Sequence, residues 1–220
     1  MSFQKNGVYT SRKEKKFMSN QLIIIFVRNP ELGRVKTRLA KAIGDEAALE
    51  TYKILTKHTS KIAAKSKADK IVFYSQYVED KDPWTLLECK KKKQAEGDLG
   101  DKMSAAFEQA FSLGYKQVVI VGSDVYSLKT EHITTAFAQL SKKDVVIGPA
   151  KDGGYYLLGL NFMIPELFKH KKWGSSTVLE NSLKDLKKFN ISLLEPLNDI
   201  DHFEDLKKEP QLLKQLNIYG

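Results

Sequence analysis

Five short apolar runs recur along the chain, at 22–27, 70–74, 117–121, 145–147 and 155–160. Each is rich in valine, isoleucine, leucine or aromatic residues and is flanked by polar positions, the pattern of strands buried on both faces. Between the runs the apolar spacing changes to the helical period, which predicts helices over 35–42, 45–64, 100–113 and 130–140. Strands that alternate with helices predict an α/β fold with a mainly parallel, covered sheet. No internal repeat and no Pro/Gly/Ser linker interrupts the alternation. Ligands of such sheets bind at the carboxyl ends of the strands, so the segments that follow the apolar runs are where chemistry is expected.

Composition narrows the class. The chain has 220 residues, of which 42% are hydrophobic, enough for one sizeable core. Cys89 is the sole cysteine, which excludes a disulfide framework and a Cys-rich zinc site and suits a reducing compartment. The longest apolar run, 22–27, is too short to span a bilayer, and residues 1–17 have no apolar signal region, so a cytoplasmic location is expected. The net charge is +9, and residues 1–18 carry +4 of it. A flexible basic tail over 1–18 is therefore expected ahead of a domain over 19–220, and Met18, directly before the first strand, is a candidate start. The remaining lysines are dispersed and form no recognised nucleic-acid motif, so no nucleic-acid partner is expected.

Four segments at strand ends hold the candidate chemistry. The first reads RNPELGRVKTRLA and sets Arg28, Arg34, Lys36 and Arg38 against Glu31. Pro30 and Gly33 make it a turn that enters a helix. Cations there, added to the free N–H groups of a helix start, form an anion site. A solvated helix face is the competing reading. The second, VVIVGSDVYSL, ends a β-branched run at Asp124, which suits either a divalent cation or a local turn or cap. The third, GPAKDGGYYLLGL, places Asp152 before Gly153 and Gly154, either for close backbone approach to a ligand or for a tight hairpin. The fourth, NDIDHFEDLKK, puts Asp199 and Asp201 on one face of an extended stretch, with Asp201 also able to cap the helix after it. Asp205 reads as first-turn dipole chemistry.

Taken in order, FVRNPELGRVKTRLA, GDLGDKM, VGSDVYSL, GPAKDGGYYLLGL, WGSSTV and DIDHFEDL resemble the bacterial DUF2064 family, within the nucleotide-diphospho-sugar transferase superfamily. The resemblance implies a single three-layer α/β/α domain of GT-A type with a mixed, mainly parallel sheet. It further implies that Arg28, Arg34, Lys36 and Arg38 grip phosphates. Gly97, Asp98, Leu99 and Gly100 would lie near base and ribose. Asp124 and Asp201 would bind Mg²⁺ or Mn²⁺, and Asp152, Gly153, Gly154 and Tyr155 would form a substrate loop. Residues 173–177 would lie on the acceptor side. Two departures stand out. The family usually has Lys at the position of Arg28, and it reads Gly-Ser-Asp-Cys/Ser-Pro where this chain reads GSDVY, which bears on the pocket beside Asp124.

The function expected from the resemblance is a metal-dependent transferase acting on a nucleotide-activated substrate. A glycosyltransferase with a nucleotide-sugar donor and a small-molecule acceptor is favoured. A nucleotidyltransferase using an NTP is the alternative, and a non-catalytic nucleotide-binding protein is the second. No nucleophile with a paired base is visible, which suits direct transfer to the acceptor with Asp152 as general base. On helix geometry, Arg34 and Lys36 are the expected phosphate contacts, with Arg38 paired to a carboxylate.

Overall fold

The computed structural model describes residues 19–218; the expected basic tail over 1–18 lies outside the described residues. One seven-stranded sheet organises the chain. In chain order the strands are β1 (Gln21–Val27), β2 (Asp69–Tyr74), β3 (Lys90–Lys93), β4 (Gln117–Val121), β5 (Val145–Pro149), β6 (Tyr155–Leu160) and β7 (Ile191–Leu193). Their spatial order is β3-β2-β1-β4-β6-β5-β7, and every pairing is parallel except those made by β6. The helices are α1 (Thr37–Ile43), α2 (Asp45–Ala64), α3 (Leu99–Ser112), α4 (Thr130–Leu140), α5 (Val178–Asp185), α6 (Phe203–Lys207) and α7 (Pro210–Gln215).

Period-two alternation sorts the central strands between two cores. On one face Ile23, Ile25, Val72, Val119 and Val121 pack with Ile62 of α2 and Ile133 and Phe137 of α4. On the other, Leu22, Ile24, Ile71, Val118 and Ile120 pack with Met103 and Phe107 of α3. With both faces covered, the strands need apolar residues at every position, which is why they read as continuous runs. A third, smaller cluster joins Leu39 of α1, Leu55 of α2, Ile200, Leu206 of α6 and Leu212 of α7. It fixes the segment around residue 200 against the start of α1.

Differences from the expected elements have local causes. Helix α1 starts at Thr37 and not at 35, because Lys36 adopts a left-handed conformation (φ 48°) and serves as its N-cap. Strand β3 is four lysines with no apolar signal, and only its pairing with β2 makes it a strand. Strand β7 and helices α5 to α7 are too short for a periodic pattern to mark. Residue Asp201 does not cap α6; His202 does, and Asp205 closes the box by accepting the His202 N–H at 2.9 Å. Asp205 is thus a structural acceptor as well as a first-turn charge.

Candidate active site

From β1 the chain leaves to β2 on one side, and β4 lies on the other side of β1. The loops after β1 and β4 therefore part at the carboxyl edge of the sheet and leave a crevice there. A cleft of about 880 Å³ occupies that crevice and is lined by Arg28, Arg34, Lys36, Arg38, Asp124, Asp152 and Asp201, among others.

Buried polar groups fix the floor. The Tyr52 hydroxyl of α2 accepts the Arg28 N–H at 2.7 Å, donates to the Arg28 carbonyl at 3.0 Å and lies 3.2 Å from Ser123 Oγ. One hydroxyl so ties the end of β1 to the end of β4. Asn29 is buried and does the same towards β2: its amide donates to the Tyr77 carbonyl at 2.9 Å and its Oδ1 accepts the Gln76 N–H at 3.0 Å. The Ile200 N–H donates to the Asp124 carbonyl at 3.1 Å, which brings the loop after β7 across the end of β4.

Asp124, Asp199 and Asp201 thereby converge, each offering a carboxylate oxygen within 4.8 Å of the others. Lys36 enters the cluster from the protein side. Its Nζ donates to Asp201 Oδ1 at 2.8 Å and to Asp124 Oδ2 at 3.2 Å, and its side chain is 6% exposed against 40% for Asp124 and 32% for Asp201. Arg38, exposed, reaches Asp201 Oδ2 at 3.3 Å. Burial disfavours the Lys36 ammonium, yet the charges and hydrogen bonds of Asp124 and Asp201 outweigh it and raise its pKa. Burial likewise pushes Asp201 upward, but Lys36 and Arg38 hold it below the usual carboxylate range. Asp199 has no such help. Burial, then the charges of Asp124, Asp152 and Asp201, push its carboxyl up to about 6. Three oxygen donors, one short of positive charge, fit a hard divalent cation such as Mg²⁺ or Mn²⁺.

Other expected site residues differ in their local partners. Arg34 is exposed and pairs with Glu31 at 3.3 Å, while Arg28 and Lys102 line the cleft with no ion pair among the described residues. Asp98 is the N-cap of α3 in a reciprocal box with Asp101, at 3.0 Å each way, and Gly97 supplies the positive φ of that turn. Gly100 has no room for a side chain, because a Cβ would strike the Phe168 carbonyl and the Trp173 ring. Of the 97–100 stretch only Leu99 lines the cleft. Gly153 also allows a close approach, to Ser176 of the chain itself: a Cβ there would lie 2.1 Å from the Ser176 carbonyl oxygen. Gly154 donates its N–H to Asp152 Oδ1 at 2.8 Å, an Asx turn that holds Asp152 at the cleft rim. In GSDVY, Val125 is buried in the core and Tyr126 turns towards α7, where its hydroxyl accepts from Gln215 at 3.0 Å. Asp124 therefore keeps its place in the cleft without the family's proline.

Sequence pattern alone passes over Asn29, Tyr52 and Lys102. The first two read as turn and core residues; Lys102 sits in the quoted GDLGDKM, one turn into a helix whose start faces the cleft.

A sheet of this order with an acidic and basic cleft at the switch point is the fold of the nucleotide-diphospho-sugar transferases. The chain belongs to the family described as "Uncharacterized protein conserved in bacteria (DUF2064)", which matches residues 58–175. That segment contains Asp124 and Asp152 but neither the first basic loop nor Asp201. No curated protein matches the sequence. Among solved structures, a candidate nucleotide-diphospho-sugar transferase from Desulfovibrio desulfuricans G20 is 28% identical with a TM-score of 0.78, over 90% of this chain and 99% of that one. Two more distant structures share the fold. The 4-diphosphocytidyl-2C-methyl-D-erythritol synthase of Anaerococcus prevotii is 12% identical with a TM-score of 0.58, over 89% of this chain and 99% of that one. The glucosyl-3-phosphoglycerate synthase of Mycobacterium tuberculosis, solved with Mn²⁺, UDP and glucosyl-3-phosphoglycerate, is 9% identical with a TM-score of 0.52, over 91% and 81%. Among the described residues no helix is long and apolar enough to cross a membrane.

Proposed function

We propose that the chain is a metal-dependent transferase that takes a nucleotide-sugar as donor and passes the sugar to a small-molecule acceptor. The observation that carries this reading is the convergence of Asp124, Asp199 and Asp201 at the switch-point cleft, under a rim of cations. The three carboxylates would hold Mg²⁺ or Mn²⁺, whose charge would stabilise the departing diphosphate. Arg28, Arg34 and Lys102, free of the carboxylate cluster, would grip the phosphates. The cation count favours the donor class. Lys36 is buried against two carboxylates, so fewer cations remain for phosphate than the sequence promises, which suits a diphosphate better than a triphosphate. Asp152, held at the rim by its turn, would accept the proton of the attacking acceptor hydroxyl. Val125 and Tyr126 pack away from the cleft, so the departure at GSDVY leaves Asp124 available to the site.

The test is binding and turnover with a panel of nucleotide-sugars and NTPs in the presence of Mn²⁺. The expected result is binding of a nucleotide-sugar, slow release of nucleoside diphosphate, and loss of both in Asp124→Asn. Preference for an NTP with pyrophosphate release would convert the reading to nucleotidyl transfer. Binding of none of these ligands would refute it.

A further inference from the structure

Lys36 occupies an unusual position for a phosphate-binding residue. Its backbone is left-handed, a conformation that is strained for a residue with a Cβ and persists only where the surroundings enforce it. The side chain is almost wholly buried, and its ammonium touches two of the three clustered carboxylates, which are themselves partly exposed and line the cleft. Arg38, by contrast, stands in solvent and meets Asp201 from the rim. We infer that Lys36 is a standing counter-ion of the carboxylate cluster, which keeps the site's affinity for a divalent metal low until the phosphates of a nucleotide arrive with it. The inference rests on the reading of the cluster as a metal site.

The argument is electrostatic. Three carboxylates without a cation would bind a divalent ion tightly and hold it whether or not substrate were present. One fixed positive charge beside them offsets one of their three negative charges by repelling the ion. A buried ammonium cannot withdraw at small cost, because leaving its partners strands a charge away from water. Metal must then approach from the cleft, where a bound diphosphate supplies the negative charge that Lys36 cancels. Arg38 is free to leave Asp201 for that diphosphate, since its guanidinium is already solvated. Lys36 is thereby a positioning residue that sets the order of binding.

Mn²⁺ titration separates the possibilities, read by the loss of the electron paramagnetic resonance signal of free Mn²⁺. Wild type, Lys36→Met and Lys36→Arg are titrated with Mn²⁺ alone and then with UDP or CTP present. Lys36→Met is expected to bind Mn²⁺ alone roughly 10- to 100-fold more tightly than wild type, the effect of removing one unit charge a few ångström from a divalent ion in a half-exposed site. Lys36→Arg keeps the charge and is expected to stay near wild type, and nucleotide is expected to tighten Mn²⁺ binding far more in wild type than in Lys36→Met. Equal or weaker Mn²⁺ binding by Lys36→Met, in a protein whose wild type binds Mn²⁺ with nucleotide, overturns the counter-ion role and leaves the metal site standing. So does a loss of about tenfold or more in metal-free UDP binding, which would place the ammonium on phosphate. Absence of Mn²⁺ binding in all three proteins, with and without nucleotide, overturns the metal site itself. Should Lys36→Met and Lys36→Gln fold only with Mn²⁺ present, the ion has replaced the ammonium and the inference stands; failure to fold even then overturns it.

Discussion

Lys91 and Lys36 both hold aspartates from largely buried positions, and they differ in what is left over. Lys91, on the edge strand β3, donates to Asp82 Oδ1 at 2.7 Å, to the Glu79 carbonyl at 2.7 Å and to Thr85 Oγ1 at 3.0 Å. Asp82 in turn accepts the Trp84 N–H at 3.0 Å, and its other oxygen accepts the Tyr74 hydroxyl. One ammonium meets one carboxylate, and the ammonium and both carboxylate oxygens are hydrogen-bonded. Lys36 meets two carboxylates, with a third close by that has no cation of its own among the described residues. The first cluster is complete and local, its partners nine positions apart; the second is in deficit and joins positions 88 and 165 apart. A balanced pair fastens a loop. A cluster with surplus negative charge, assembled from distant segments and open to a cleft, is what the proposed cation site would require.

The contrast is sharpened most by breaking the balanced cluster. Asp82→Ala strands the Lys91 ammonium and the Tyr74 hydroxyl, and should cost about 3 kcal/mol of folding stability, measured by urea denaturation. Mn²⁺ binding with nucleotide should not change. A loss below about 0.5 kcal/mol would show that the cluster at β3 is ornamental and that balance is not what separates the two sites.

The same contrast explains what the sequence discloses. The five apolar runs appear as strands because they are buried on both faces, and α2 and α4 fall at 45–64 and 130–140 because long periodic helices carry their own signal. Strand β3 is invisible because KKKK has no apolar alternation and owes its form to β2. Around the cleft, residue types and the pairing of Arg38 with a carboxylate were legible, and the other partnerships were not. Arg28, Arg34, Lys36 and Arg38 are conspicuous as four cations in eleven positions, but which of them faces carboxylate is decided by the left-handed turn at Lys36 and by the return of Asp201 from the far end of the chain. Asp199 shows as the alternate partner of Asp201, yet its shortage of positive charge exists only in three dimensions.

That shortage makes a second, smaller prediction. Asp199 has a folded-state pKa raised to about 6 from the ordinary 3.8, so the folded protein disfavours its charged form. Above pH 6 the carboxylate is charged in both folded and unfolded chains, and the folded state bears the whole penalty. Below about pH 4 it is neutral in both and the penalty is gone. Asp199→Asn should therefore stabilise the metal-free protein at neutral pH by about 1–2 kcal/mol, a figure reduced for the partial access of water, and the gain should fade as the pH drops from 6 to 4. With saturating Mn²⁺ and nucleotide the order should reverse, since the variant lacks a ligand. Thermal melts across pH, with and without Mn²⁺, give both readings, and a variant less stable at neutral pH without metal would show that Asp199 is satisfied as it stands.

The smallest effect is expected at Arg34, and it tests which cations serve phosphate. Its guanidinium is 67% exposed, and its one ion pair among the described residues is the short-range contact with Glu31. Such a pair contributes little to stability, so Arg34→Ala should leave the melting temperature nearly unchanged. A phosphate contact by a solvated guanidinium is worth less than a buried one, about 0.7–1.4 kcal/mol, or roughly 3- to 10-fold in affinity. Calorimetric titration with UDP and with uridine, each with Mn²⁺, isolates that contact, because only UDP carries the diphosphate. A three- to tenfold loss for UDP with none for uridine would place Arg34 on the phosphates. Equal losses would assign it to the shape of the 29–34 turn. No loss for either would leave the diphosphate to Arg28, Lys102 and a displaced Arg38, the cations that line the cleft without a buried partner.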